Sequence, residues 1–432
     1  MRKFVLYLLI GFSLFSFQSA VAQTAVNQEN NTMHQAIRQR TDQIYDSLVA
    51  IRRDFHRHPE VAENEAETSQ KIIRYLKELG LEVLTDVGGY GVVGILHGSE
   101  GGKSIAWRAD IDAMASDFPD VVDFASENEG VRHICGHDVH TTVAMGIANV
   151  LASQKDHIRG TVYFVFQPSE ENIKGAKAMI DDGLFDLIKP DETYALHISP
   201  FPAGTIAAKA GNMYADYKKI DILLDKNDNS AEAISAVKEI IRSIENKRSP
   251  DAFDNRANLG HPEMGVMNPN TIYKDYLSLD ATIRVKEGDS NVTINAYMNS
   301  SDDEQLKRAK ELLTQKLRSF EYKDLVQSID FHPITYTVKN DPALVNKSLE
   351  SISTIYGSES VVPLYGVLAG NSDDFALFQE QVPGVYFFLG GSDYSKGVIS
   401  MPHTPGFQVD ESSIKIGVQY FSSLIVERLD GR

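Results

Sequence analysis

Apolar residues recur every three or four positions at Ile44, Leu48, Ile51 and Phe55, and again at Ile72, Ile73, Leu76 and Leu79. This spacing predicts amphipathic helices between about 33 and 79, broken at His58-Pro59-Glu60, with Gly80 suited to the second C-cap. From about 83 to 200 the period changes. Short apolar runs at 92–96, 104–107, 162–166 and 194–196 alternate with helical stretches at 140–152 and 175–182. Continuous apolar strands separated by helices predict an α/β domain with a largely parallel, buried sheet.

Near Tyr214 the pattern shifts again. Residues 219–224 read as a strand, 231–244 as a helix, and 270–284 as two further strand-like stretches. A helix over 301–320 and a strand near 325–331 follow, while 289–301 carries no readable motif. Strands with two helices on this scale suggest a small α+β domain. The α/β pattern resumes from about 334, with helices at 343–355, 374–380 and 412–429 and a buried strand at 385–389. The expected organisation is a catalytic α/β domain over 33–213 and 332–432, with a smaller α+β domain inserted over 214–331.

A chain of 432 residues exceeds what one hydrophobic core usually organises. With 42% apolar and 24% charged residues, a disordered or polytopic membrane protein is excluded. Asp+Glu number 60 against 42 Lys+Arg, a net charge of -18 that makes nucleic acid and anionic membranes poor partners. The first 22 residues fit a signal peptide. Arg2 and Lys3 precede an apolar run over 4–17, and Ala20-Val21-Ala22 offers a small-x-small cleavage site. The run is shorter than the roughly 20 residues a membrane span needs. Cleavage after Ala22 predicts an exported protein, periplasmic or secreted, with no membrane attachment once the peptide is removed. Without Arg2 and Lys3 the basic count falls from 42 to 40 against 60, a net charge of -20.

Polar residues collect directly after the apolar strands. Asp110 and Asp112 follow 104–107, Glu170-Glu171 follows 162–166, His197 follows 194–196, and His403 follows 385–389. Open α/β sheets bind ligands beyond the carboxyl ends of their strands, so these side chains can converge. The densest segment is His133-Ile134-Cys135-Gly136-His137-Asp138-Val139-His140, which holds the chain's one cysteine and three of its 12 histidines. Thiolate and imidazole together suit Zn²⁺ or a similar cation. A buried structural Cys135 beside surface histidines is the alternative. Adjacent carboxylates at Glu170 and Glu171 can divide labour, one binding metal and the other acting as general base. A solvated acidic turn is the bland alternative. Asp112 can orient a histidine, or cap the following segment. His56 and His58 read as structural.

Taken together, the segments Arg52–Glu60, Arg108-Ala109-Asp110-Ile111-Asp112-Ala113, Cys135-Gly136-His137-Asp138, Phe166-Gln167-Pro168-Ser169-Glu170-Glu171, Leu196-His197, Asp373-Asp374-Phe375 and His403-Thr404-Pro405 resemble the aminoacylase, hippurate hydrolase and auxin-conjugate (IAA-amino acid) hydrolase family of metal-dependent amidohydrolases. This family is related to carboxypeptidase G. The resemblance implies metal ligands at Cys135, His137, Glu171, His197 and His403, one or two divalent ions (Zn²⁺ or Mn²⁺), Glu170 as the base and Asp112 in support. It implies a ferredoxin-like inserted domain that serves as lid and dimerisation element, and so allows a homodimer. The expected activity is hydrolysis of the amide bond of N-acyl amino acids or short peptides, and Arg284 is the candidate for the substrate carboxylate. One departure is plain. The family's histidine-bearing lid loop is missing, because no histidine lies between His197 and His261. His261 is the nearest replacement. The missing loop also leaves a second reading, a metal-containing periplasmic binding protein of the same fold without catalysis.

Overall fold

Strands that are apolar on both faces need cover on both faces, and the predicted runs receive it. The structure, a computed structural model, describes residues 32–431; the signal-peptide segment 1–22 lies outside the described residues. A seven-stranded sheet runs in the order Glu82–Val87, Gly91–His97, Arg159–Gln167, Ser99–Asp110, Glu192–Pro202, Gly384–Ser392, Ile206–Ala207. The four strands from Arg159–Gln167 to Gly384–Ser392 are parallel, and the flanking pairings are antiparallel.

Alternate residues of these strands face opposite layers. Trp107, Phe164, Leu196 and Phe387 pack with helices 32–57, Ala66–Glu78, His137–Ala152, Pro342–Tyr356 and Ser412–Leu429. Ala106, Val165, Ala195 and Phe388 pack with helices Gly175–Asp181 and Phe375–Gln381. Among the described residues no helix is long and apolar enough to cross a membrane.

Between Ile206–Ala207 and Gly384–Ser392 the chain builds a second, antiparallel sheet in the order Leu277–Leu279, Asn291–Ser300, Asp216–Asp225, Val326–Pro333, with Arg284–Glu287 also paired to Asn291–Ser300. Helices Ser230–Arg242 and Asp303–Ser319 bury one face through Ile222, Val237, Ile294 and Leu313. With Leu277–Leu279 and Arg284–Glu287 taken as two parts of one strand position along Asn291–Ser300, strand, helix, two strands, helix, strand in this spatial order is the ferredoxin-like arrangement. The outgoing and returning segments, Gly211–Asn212 and Lys339–Asn340, pair with each other.

The middle of this sheet corrects the sequence reading. Of the two strands expected within 270–284, only Leu277–Leu279 lies there, and Arg284–Glu287 begins where that stretch ends. The unreadable segment 289–301 holds the ten-residue strand Asn291–Ser300, which pairs with Asp216–Asp225 along its whole length. Its alternation is real, but small Ala296 and the interleaved Asn, Thr and Tyr residues dilute the apolar signal.

Candidate metal centre

The centre forms where the parallel strands end. Strand Ser99–Asp110 delivers Asp110 and, two residues on, Asp112. Arg159–Gln167 leads into the turn carrying Glu170 and Glu171, and Glu192–Pro202 carries His197. Gly136, at φ 95, turns the chain into helix His137–Ala152, so Cys135 and His137 flank a left-handed corner. A Cβ there would sit 2.5 Å from Ile198 Cγ2, so only glycine fits. His403 joins from the loop after Gly384–Ser392, itself at φ 59.

The five ligand candidates from the sequence come together. Cys135 Sγ lies 3.2 Å from His197 Nε2. Ligand atoms of Cys135, His137 and His197 lie within 4.8 Å of one another, as do those of Cys135, Glu171 and His403, and of His137, Glu170 and Glu171. Two of these triads share the Cys135 sulfur. His403 Nε2 is 3.4 Å from Glu171 Oε1, and His137 Nε2 is 3.9 Å from the same oxygen.

Hydrogen bonds on the far sides of the rings set their tautomers. His137 Nδ1 donates to Asp112, at 2.9 Å to its carbonyl and 3.2 Å to Oδ1, so in the neutral ring Nε2 is left as the acceptor. His197 Nδ1 donates to the Ile198 carbonyl at 2.7 Å. His137 Nε2 and Glu171 Oε1 are buried without a hydrogen-bond partner. Two unsatisfied buried acceptors aimed at each other are costly unless a cation lies between them. The donor set of sulfur, imidazole and carboxylate therefore fits a divalent metal ion.

Without an ion the electrostatics are mixed. Although burial opposes it, Asp110 and Cys135 raise His137 well above the ordinary imidazole value, so a metal ion there would take the place of a proton. Burial, with His140 alongside, pushes His197 down to about 3, so its imidazole is neutral and able to ligate. Burial, with Glu171 nearby, pushes the Cys135 thiol well up, a state that coordination would reverse. Burial works against the Glu171 carboxylate, but His403, 3.4 Å away, and His137 hold it at about 2. Glu170 goes the other way. Burial, and then the charges of Asp373 and Asp374, raise its carboxyl well above the ordinary range.

Several neighbours of the ligand candidates make contacts that their positions in the sequence did not show. His140 Nδ1 donates to Asp110 at 2.6 Å, and its Nε2 accepts the Ile198 N–H at 2.8 Å, so neither nitrogen remains for a metal. Asp110 is held on its other oxygen by Arg108 at 2.7 Å. Arg108 is fully buried and also pairs with Asp373 and Asp374 at 3.1 and 3.2 Å. These partners lie up to 266 positions apart, so no local spacing reveals them. His56, read as structural, bridges Asp138 and Asp120.

Two candidates stay outside. Arg284 is exposed on the second sheet opposite Asn295, with no hydrogen bond or ion pair to the cluster among the described residues. It sits on a strand of the other sheet, which explains why spacing alone could not place it. His261 accepts the Glu263 N–H through Nδ1 at 3.1 Å within the 255–273 segment, and is likewise not part of the cluster.

Comparison with known proteins agrees with this fold. The chain is 29% identical over 391 residues to an N-acetylcysteine deacetylase of Bacillus subtilis, covering 88% of this chain and 96% of that one. It is 30% identical over 401 residues to thermostable carboxypeptidase 2 of Saccharolobus solfataricus, covering 89% and 96%. A solved Bacillus subtilis structure, described as a dinuclear metal binding peptidase from the M20 family, superposes with a TM-score of 0.68 at 26% identity, covering 90% of this chain and 99% of that one. Because the profile of peptidase family M20/M25/M40 also matches residues 106–427, the chain belongs to that family and is a metal-dependent hydrolase.

Proposed function

We propose that this chain is an exported amidohydrolase that cleaves the amide bond of N-acyl amino acids or short peptides, with Glu170 as general base. The observation that carries the reading is the division between two adjacent carboxyls. Glu171 is held ionised among the ligand candidates, while Glu170, its Oε2 3.8 Å from His137 Nε2, is kept avid for a proton. Cys135, His137, Glu171, His197 and His403 would hold one or two Zn²⁺ or Mn²⁺ ions. When bound, such ions polarise an amide carbonyl and make a water more acidic.

The protein's own groups supply the proton path. Glu170 accepts a proton from the attacking water and returns it to the departing amine nitrogen. Asp373 and Asp374 strengthen it as a base by disfavouring a further negative charge nearby. Asp112 fixes His137 through Oδ1 and the Glu171 backbone N–H through Oδ2, the latter at 2.9 Å. The deacetylase and carboxypeptidase relatives support the substrate class. The apolar 4–17 run and Ala20-Val21-Ala22 support export, which N-terminal sequencing of the mature protein would check at Gln23. A homodimer through the second sheet completes the proposal, using edge strand Val326–Pro333, and light scattering tests it.

The deciding experiment assays the protein from Gln23 onward on a panel of N-acyl amino acids and dipeptides, with Zn²⁺ or Mn²⁺ added. Glu170→Gln should keep its metal and lose about 10²–10⁴-fold in kcat. Turnover like that of the unaltered protein in this variant would remove Glu170 as the base.

A further inference from the structure

Glu65 is a carboxylate near the centre that the reading above leaves unused, at 0% exposure. It occupies the N-cap position of helix Ala66–Glu78, yet its side chain makes no cap hydrogen bond. Glu60 caps the helix in its place. Its two carboxylate oxygens accept the backbone N–H groups of Glu67 at 3.1 Å and Thr68 at 2.7 Å. Glu65 is thereby free to turn toward Ser169. Its Oε1 accepts both the Ser169 backbone N–H at 2.7 Å and the Ser169 hydroxyl at 3.2 Å. The Glu63 N–H donates to the same hydroxyl at 2.9 Å.

Ser169 is held in an unusual state. Its φ is 57, a left-handed conformation that a residue with a Cβ rarely adopts. It stands immediately before Glu170 and Glu171. Its carbonyl accepts the N–H groups of Lys174 at 3.2 Å and Gly175 at 3.0 Å, and the Glu170 carbonyl accepts that of Ile173 at 2.7 Å, which closes a tight turn around the two carboxylates. Strained conformations of this kind persist only where surrounding groups over-determine them. Here three side-chain-mediated hydrogen bonds do so, two of them to a buried acceptor at the start of helix Ala66–Glu78.

We propose that Glu65 is a positioning residue: by pinning Ser169 in its left-handed conformation it aims Glu170 and Glu171 into the cluster. The inference rests on the reading of Glu170 as base, and it adds the Glu60–Glu65 turn to the parts that build the site. Glu65 itself touches neither substrate nor metal; it acts through the backbone of its neighbour.

The test compares kcat and KM of Glu65→Leu and of Glu65→Leu/Ser169→Gly with the unaltered protein, all at saturating metal with metal content measured. Glu65→Leu should lose at least about tenfold in kcat with KM within about twofold, the pattern of a misaligned reacting group. Glycine takes a positive φ freely, so the double variant should regain at least about threefold of that loss. A kcat unchanged in Glu65→Leu, or an equal loss in both variants, overturns the proposal. If Glu65→Leu fails to fold, Glu65→Gln decides: it keeps the acceptor for Ser169 and must retain kcat within about threefold, and a loss beyond about tenfold overturns the idea. Glu170→Gln run in parallel separates the two levels. Unchanged turnover in Glu65→Leu beside an inactive Glu170→Gln removes the positioning role alone, whereas unchanged turnover in Glu170→Gln removes the reading beneath it.

Discussion

Asp112 accepts two hydrogen bonds that fix two different ligand candidates, the His137 ring through Oδ1 and the Glu171 backbone through Oδ2. Groups that orient metal ligands typically contribute about 10–100-fold in metal affinity. Asp112→Ala should therefore weaken metal binding by about that factor in a competition titration, and added metal should restore much of the turnover. A titration unchanged from that of the unaltered protein would show that Asp112 is a bystander. The ligand candidates themselves were readable because each sits in a short motif next to a strand end. Asp112 was readable in the same way, but the longer-range supports were not. Glu65 meets Ser169 across 104 positions and Arg108 meets Asp374 across 266, and such pairs exist only once the strands are side by side.

At the scale of elements, what could be read in advance followed burial. The strands Ser99–Asp110, Arg159–Gln167, Glu192–Pro202 and Gly384–Ser392 are covered on both faces, so their sequences are continuously apolar near the middle and stand out. The edge strand Glu82–Val87 is largely exposed, and Asn291–Ser300 buries one face only; neither announced itself. The helix His137–Ala152 is buried almost throughout because it is sandwiched between the sheet, helix 32–57 and helix Ser412–Leu429. Gly146 lets these helices close: a Cβ there would lie 2.4 Å from Val418 Cγ2 and 2.9 Å from Leu48 Cδ1. Val418 is branched and buried, so it has little room to yield. Gly146→Ala should destabilise the fold by about 1–3 kcal/mol through overpacking. Thermal unfolding would register this as a lower Tm, and an unchanged or higher Tm would show that the helices can part at little cost.

Across the whole molecule, the two ends of the large sheet carry opposite burdens. The carboxyl ends gather the metal centre, with its unsatisfied acceptors and left-handed corners, and the amino ends are tied by an ion-pair network. Glu192, the first residue of its strand and nearly inaccessible, accepts from Arg428 of the last helix at 2.6 and 3.0 Å, from the Tyr194 hydroxyl at 2.6 Å, and from Lys103. Three separate stretches of chain thus meet at one carboxylate. Burial alone would raise its proton affinity, but the bonds from Arg428, Lys103 and Tyr194 hold it below the ordinary carboxylate range. A carboxylate whose pKa is lower in the folded state contributes stability above its unfolded value of about 4.3, and that contribution fades as pH falls through the lower folded value. Replacing it also removes a counter-charge from Arg428, which is 1% exposed. Glu192→Gln should therefore cost about 3 kcal/mol at pH 7, and the gap in Tm from the unaltered protein should narrow steadily below about pH 4. Metal content should not change, because the network lies at the end of the sheet remote from His197. Thermal unfolding between pH 7 and 3 would check this, and a gap that stays constant or widens on acidification would show that Glu192 is not ionised in the fold.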